Sequence, residues 1–381
     1  MLTIEKAAGQ ENELFRCARS SPTVTSSSDA DREYTCRLTL SHLMCGVMQQ
    51  IHLTYLNGPD VAALALTNDE ILAAVESGLK AQGLGQTVIE PRMHLVPESS
   101  DKGHFNVLRG VVKPLDLAGV KVVGDFVDNY QRGLPSEMAL LNLFDPETGM
   151  PKAILDATGI TDMRTGAVTA LGAKYLARKN SKVLGHVGAR GTSYWNVKLL
   201  NHLFDFDEIR VHSRRPESRN GFAERLTRDL GKKVVATDDW ESCVRDADII
   251  VEASRLPAPT PMLKTDWIKK GAFVVPYGTM SAVELSLTDI MDKMVVDDWG
   301  QCRKGLPFGA LRAHVDSDRL NEQNLHAELG QIVAGLRPGR ESEAETNLFW
   351  HRGLSLSDIA LGAAMLEKAK KMGLGQQLRF A

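Results

Sequence analysis

The sequence predicts an α/β protein built on a doubly wound parallel sheet, with a second, α+β body beside it. Three observations carry this expectation. Between Ser181 and Asp297, short apolar runs alternate with helix-length segments, the pattern of repeated strand–helix–strand crossovers in one parallel sheet. The first of these runs, Val183 to Val187, passes through Gly188-Ala189-Arg190-Gly191 directly into a helical segment, which is how such a sheet opens onto a ligand. A chain of 381 residues is long enough for two cores, and a strand-rich stretch precedes the alternating block.

Residues 1–47 stand apart. Ser20 to Glu33, SSPTVTSSSDADRE, is polar and Ser-rich and is expected to be poorly ordered. The start, MLTIEKAAGQ, lacks the basic beginning and apolar core of a secretory signal, and its acidic residues argue against a transit peptide. With Met48 a plausible native start, residues 1–47 read as an extension without function. Order is expected from Ile51. His52 to Leu56 reads as a strand, Asn57-Gly58-Pro59 as a turn, and Thr67-Asn68-Asp69-Glu70 as a capping box in which hydroxyl and carboxylate satisfy backbone donors reciprocally. The helix that follows carries Ile71, Leu72, Val75 and Leu79 on one face and ends near Gly83. Val88 to Val96 reads as extended; Val107 to Val112, Val120 to Phe126 and Met138 to Phe144 as strands; and Asp145-Pro146-Glu147-Thr148-Gly149 as a turn. Thr161 to Arg178 is an alanine-rich helix with Arg164 in its first turn.

In the alternating block a helix is expected from Thr192 to Phe204, with Val197, Leu199, Leu200 and Leu203 apolar, and a strand from Glu208 to His212. Helices at Glu217 to Leu230 and Trp240 to Val244 then alternate with strands at Lys233 to Ala236, Asp248 to Glu252, Ala272 to Tyr277 and Lys293 to Asp297. From His326 the chain reads as helical, ending in a stripe of Ile359, Leu361 and Leu366 before Gly373 and Gly375.

The turn after Val187 has dinucleotide chemistry. Glycine lets the backbone approach a pyrophosphate, and the helix start at Thr192 and Ser193 offers N–H groups and positive dipole to the same anion. The pattern departs from G-x-G-x-x-G/A, because Arg190 stands at the second glycine and Ser193 at the last position. An ordinary strand-to-helix turn therefore remains an alternative, while in a dinucleotide turn Arg190 lying along the pyrophosphate would offset the lost close approach. Ser213, Arg214 and Arg215 follow the second strand with no acidic residue, which suits a 2′-phosphate and predicts NADP(H) over NAD(H), the alternative being a solvated basic corner. Ser254, Gly278 and Thr279 follow later strands and would line the nicotinamide end.

Composition narrows the partners. Hydrophobic residues at 43%, charged residues at 24% and a net charge of −3 describe an ordinary globular chain and point to neither nucleic acid nor an anionic membrane surface. No apolar run approaches the roughly 20 residues that span a bilayer. The five cysteines are odd in number and lack C-x-x-C spacing, so a reducing, cytoplasmic setting is expected, without a disulfide framework or a zinc site. No metal constellation appears among the ten histidines, and no G-x-S-x-G elbow occurs. The first block supplies three cations, Arg92, Lys121 and Arg164. Lys121 interrupts the apolar run Val120-Lys121-Val122-Val123, where a buried ammonium is costly unless paired. Each alone reads as a surface charge or structural salt bridge; together they suggest a pocket for a carboxylate. His104, Glu137 and His351 stand as residues that either select the substrate or serve structure.

From Leu53 to Leu378 the chain resembles the ornithine cyclodeaminase and mu-crystallin family of NAD(P)-dependent amino- and imino-acid enzymes. The most specific part is GMPKAILDATGITDMRTGAVTALGAKYLA at Gly149 to Ala177, joined by HAELGQIVAGLRPGR at His326 to Arg340. The resemblance implies a Rossmann-type domain, residues 179–325, inserted into a substrate-binding and dimerisation domain made of residues 48–178 and 326–381, with members pairing as homodimers. It implies that Arg92 binds the substrate carboxylate, that Lys121 lies beside the reacting carbon as the catalytic residue, and that Arg164, with Thr165 beside it, is shared between substrate and cofactor. In members with cyclodeaminase activity an aspartate stands where PYGTMSAVEL places Met280, and a thioether cannot replace it as acid or base. The expected activity is hydride transfer to or from the α-carbon of a small α-imino or α-amino acid. A cyclodeaminase acting on a diamino acid, or a binding protein without turnover, remain as alternatives.

Overall fold

Residues that alternate inward and outward build one sheet, and residues buried on both faces build the other. The computed structural model describes residues 50–98, 103–304 and 309–381. The expectations for residues 1–47, including Cys17, Cys36 and Cys45, lie outside the described residues.

The first layer begins with β1 (His52–Leu56), α1 (Gly58–Ala63) and α2 (Asn68–Gly83). The Thr67–Glu70 capping box forms as expected: the Glu70 N–H donates to Thr67 Oγ1 at 3.2 Å and the Thr67 N–H to Glu70 Oε2 at 2.7 Å. Then come β2 (Thr87–Ile89), β3 (Met93–Leu95), β4 (Gly103–Val112), β5 (Leu117–Phe126), β6 (Glu137–Phe144), β7 (Pro151–Asp156) and α3 (Thr158–Leu176). The expected single extended run from Val88 to Val96 is thus two strands, with Pro91 and Arg92 between them. A strand over Pro151–Asp156 was not anticipated, because a run that opens on proline looks like part of the preceding turn.

The second layer comprises β8 (Val183–Val187), α4 (Ser193–Phe204), β9 (Glu208–His212), α5 (Pro216–Leu230), β10 (Val234–Ala236), α6 (Trp240–Val244), β11 (Ile249–Glu252), β12 (Phe273–Pro276) and β13 (Lys293–Val296). It continues through α7 (Trp299–Arg303), α8 (Arg312–Asp316), β14 (Ala327–Glu328), α9 (Leu329–Val333) and β15 (Asn347–Trp350) before α10 (Ser355–Met372) and β16 (Gln376–Arg379).

The first sheet runs β16-β1-β7-β6-β5-β4-β2, with β3 also paired to β4. Its pairs are antiparallel except β1 with β7. In β5, Leu117, Gly119, Lys121 and Val123 are buried in alternation, as are Ala139, Leu141 and Leu143 in β6; helices α3 and α10 pack on this layer. At Gly119 a Cβ would lie 2.5 Å from Ile359 Cγ1, so only glycine lets α10 approach β5 this closely.

The second sheet is wholly parallel, in the order β10-β9-β8-β11-β12-β15-β13-β14. Its strands are close to continuously buried, the signature of a sheet covered on both faces. The order reverses between β8 and β11, so the crevice beyond their carboxyl ends is where a ligand belongs in this Rossmann-type sheet. One difference concerns residues 326–354, read from the sequence as helical and as a return to the first body. They hold the five-residue α9, which packs on α2 of the first layer, and they contribute β14 and β15 to the second sheet before α10. Asn347–Trp350 is four residues long and fully buried, too short and too uniformly inward to show a period. Among the described residues no helix is long and apolar enough to cross a membrane.

Candidate active site

Lys121 points from β5 into the interior, 1% exposed, where its ammonium donates to Asp358 Oδ1 at 2.6 Å and Thr161 Oγ1 at 3.1 Å. Asp358, in the first turn of α10, is 0% exposed. The same Oδ1 accepts from Arg164 Nε at 3.0 Å, while Oδ2 is buried without a hydrogen-bond partner. Helix α3 begins at Thr158, three residues before the expected start, so Arg164 sits in its second turn rather than its first. One carboxylate oxygen thus holds two cations. Burial lowers the Lys121 pKa to about 8; Asp358 opposes the shift, and the neighbouring Arg164 and Arg92 add to it.

Arg92, in the break between β2 and β3, donates from Nη2 to Gly353 O at 3.0 Å, and its Nε is buried with no partner. Burial brings its pKa down to about 10, with Arg352 and Arg164 contributing. Gly353 has φ +86°, and a Cβ there would collide with the Arg164 guanidinium, so Arg92 and Arg164 meet around this glycine. The turn is fixed by Asp297 at the end of β13, whose Oδ2 accepts from the Arg352 N–H at 2.8 Å and the Gly353 N–H at 2.7 Å. Arg92, Lys121 and Arg164 are therefore brought together, and Asp358 is the carboxylate that pairs with Lys121 and Arg164. Asp358 and Asp297 were not anticipated. A carboxylate in the first turn of a helix ordinarily reads as a solvated group favoured by the helix dipole. The available signal was Lys121 itself, since a lysine at an inward position of an alternating strand requires an acid from elsewhere in the fold.

At the sheet switch point Gly188 has φ +119°, and a Cβ would stand 2.7 Å from Ala253 O; Gly191 has φ +43°. Both glycines are dictated by the backbone, and they form the cradle that a pyrophosphate requires. Ala189 is half-buried and Arg190 exposed beside it. Thr192 leads into α4 without a side-chain cap, its hydroxyl instead 2.7 Å from the Tyr277 hydroxyl, and Ser193 is buried. Asn196 Nδ2 reaches the Tyr277 hydroxyl at 2.5 Å and His186 Nε2 at 3.1 Å, and His186 Nδ1 lies 3.1 Å from Gly188 O. This buried polar chain under the turn was not anticipated from sequence. Burial holds the His186 pKa down at about 4, leaving a neutral ring.

Beyond β11, the fully buried Glu252 accepts from the Ser254 N–H at 2.8 Å and the Gly278 N–H at 3.1 Å, and the Thr279 N–H donates to Ser254 O at 3.1 Å. Ser254, Gly278 and Thr279 are thus brought together around Glu252. Burial raises the Glu252 pKa to about 7, against the hydrogen bonds that favour the ion. Thr165 is buried, and its hydroxyl donates to Thr161 O at 2.7 Å, inside its own helix. Ser213 is half-buried; Arg214 and Arg215 are exposed, make no ion pair among the described residues, and adjoin an α5 start that lacks a side-chain cap. The backbone cradle of Gly188 and Gly191 before the start of α4 fits a nicotinamide dinucleotide.

The residues whose roles were open are placed as follows. Glu137 is ion-paired with Arg255, which also donates to Asp125 Oδ1 at 3.1 Å. His351 is buried, 3.0 Å from Thr169 Oγ1 and stacked on Tyr277 at 4.5 Å between centroids. Burial, with Arg164 and Arg92, lowers its pKa to about 3, so it stays neutral. His104 faces His94 across 5.5 Å. Met280 is half-buried.

A doubly wound parallel sheet opening onto a buried cluster of cations defines a dinucleotide-binding oxidoreductase. The chain belongs to the ornithine cyclodeaminase/mu-crystallin family, whose model matches residues 56–373, and it is an oxidoreductase of that family. It is 32% identical over 320 residues to an alanine dehydrogenase of Archaeoglobus fulgidus, covering 83% of this chain and 95% of that protein. Among solved structures, an archaeal alanine dehydrogenase dimer with bound NAD superposes with a TM-score of 0.79 at 30% identity, over 87% of this chain and all of that one. The Thermococcus litoralis Delta(1)-pyrroline-2-carboxylate reductase in complex with NADH and L-proline gives 0.78 at 27% identity, over 86% of this chain and 100% of that one.

Proposed function

We propose that the protein is an NADP(H)-dependent oxidoreductase acting at the α-carbon of a small α-imino or α-amino acid. The observation that carries this is the crowding of buried cations: Lys121 and Arg164 share one oxygen of Asp358, while Arg92, which meets Arg164 around Gly353, donates to a backbone carbonyl rather than to a carboxylate, with Asp297 and the half-buried Asp162 farther off in the same field. Buried cations so crowded call for an anion, and an amino-acid carboxylate supplies one. Arg92 and Arg164, meeting around Gly353, would clamp it. Lys121 would then stand beside the α-carbon, where its charge polarises the C=N bond. Gly188 to Ser193, with Arg164 and Thr165 on one side and Ser254, Gly278 and Thr279 on the other, would hold the dinucleotide, which supplies or accepts the hydride when bound. Arg214 and Arg215 favour a 2′-phosphate, whereas the two neighbouring structures hold NAD and NADH. The Rossmann-type sheet would serve as the cofactor domain and the mixed sheet, with α3 and α10, as the substrate domain. Exposed Met93, Leu95, Met138 and Leu140 on the mixed sheet suit a second copy of the chain.

The test is NADPH oxidation over small α-keto acids with ammonia or methylamine, and over preformed cyclic imines. Turnover of at least one class is expected. Ammonia release from a diamino acid with no net loss of NADPH would instead mark a cyclodeaminase.

A further inference from the structure

The carboxylates around the site are spoken for, with one exception. Asp358 holds Lys121 and Arg164, while Asp125 and Glu137 both bind Arg255. Asp162, on α3 between Thr161 and Arg164, makes no hydrogen bond or ion pair among the described residues although it is half-buried. Its place is specific. Oδ1 lies 3.3 Å from where a Cβ would stand on Gly191, so the carboxyl group faces the dinucleotide turn. On its other sides it is in the field of Lys121 from β5, Glu137 from β6, Arg164 from α3 itself, Arg255 from the segment after β11, and the Tyr277 hydroxyl after β12. It therefore sits where the cofactor turn and the cation cluster meet.

We propose that Asp162 is the acid–base group of this site, holding the proton exchanged with the nitrogen on the substrate's α-carbon. The proposal rests on the oxidoreductase reading above. It answers a chemical need of that reading, since the nitrogen on the α-carbon must exchange a proton and Lys121 and Arg164 are held as cations against Asp358. In the reducing direction the Asp162 O–H bond breaks as an N–H bond forms, turning the imine into an iminium and leaving a carboxylate. The C=N π bond is then lost as a C–H bond forms with hydride, which a bound reduced nicotinamide would supply, and Asp162 regains its proton from water. In the oxidising direction the carboxylate accepts the proton that the amine must lose. Burial, with Glu137 adding to it, raises the Asp162 pKa to about 6 despite the three cations, which suits a group that must change state near neutrality. Lys121 in this scheme keeps its proton below about 8 and acts by charge.

Two measurements on the full chain test this. In carboxyl-13C NMR of apo protein labelled at aspartate, a resonance titrating near 6 should be present in the wild type and missing in Asp162→Asn. In steady-state reduction of an imine that the wild type turns over, kcat/KM should fall with one proton above pH about 6. Asp162→Asn should lose that limb and about 100-fold in rate, the usual worth of general acid catalysis, with NADPH Kd within about twofold. Asp162→Glu should keep the limb at a reduced rate, which a purely structural role would not produce. Unchanged rate and profile in Asp162→Asn would overturn the proposal, and so would a loss confined to NADPH Kd. Wild-type protein that turns over no imine and no amino acid would instead defeat the oxidoreductase reading, and this inference with it.

Discussion

If the cations of the site are in excess, removing the acid and removing the lysine should have very unequal effects on stability. Asp358→Asn keeps the shape but takes from the buried Lys121 and Arg164 the carboxylate they are hydrogen-bonded to, and the new amide nitrogen takes the place of Oδ2, which has no partner. Uncompensating a buried ion pair in this way costs about 3–5 kcal/mol. With Lys121 1% and Asp358 0% exposed, water does little to screen that cost. Unfolding entropy of about 0.7 kcal/mol/K for a body of this length converts it to a fall in Tm of about 4–7 °C. Lys121→Met, by contrast, removes one surplus cation and leaves Asp358 paired with Arg164, so its cost should stay within about 1 kcal/mol. Thermal unfolding of the two variants and the wild type, with and without a saturating small α-keto acid, reads this directly. The ligand carboxylate should raise the wild-type Tm by about 4 °C at a hundred times its Kd. Equal losses in the two variants would show that Lys121 and Asp358 form a balanced pair, and the argument for an anion pocket would fail.

Two further outcomes follow from the same geometry. Arg214→Ala combined with Arg215→Ala should weaken NADPH binding at least about tenfold and leave NADH unchanged, since each charge-assisted phosphate contact is worth about 1.5–3 kcal/mol; fluorescence titration showing tighter NADH than NADPH in the wild type would refute the cofactor assignment. Stability should also depend on pH through Lys121. The folded protein releases this proton near 8 whereas an unfolded lysine holds it until about 10.5, so the unfolded chain binds more protons in that window and stability attributable to Lys121 rises with pH across it. The Tm of the wild type relative to Lys121→Met should climb between those pH values, and a relative decline would contradict the burial argument.

How much of this was legible in the sequence depends on whether a residue announces its partner. The alternating strands and helices of the second layer, the capped helix α2 and the glycine turn at Gly188 are local patterns, and each falls where the chain alone places it. Lys121 was legible as an anomaly, a charge at an inward position of a strand, but its partner lies 237 residues away on α10, and no periodicity points to Asp358. Strand β15 stayed hidden because a short strand buried on both faces has no alternation to display, and its concealment hid the Gly353 turn that joins Arg92 to Arg164. The same limit explains Asp162. In the sequence it is one more acid in a helix, six residues from Asp156 and indistinguishable from a solvated group. Only the fold reveals that the neighbouring carboxylates are already paired and that this one faces the turn where the cofactor would lie. A functional carboxylate is recognised here by what does not bind it, and that property exists only once every other charge has been placed.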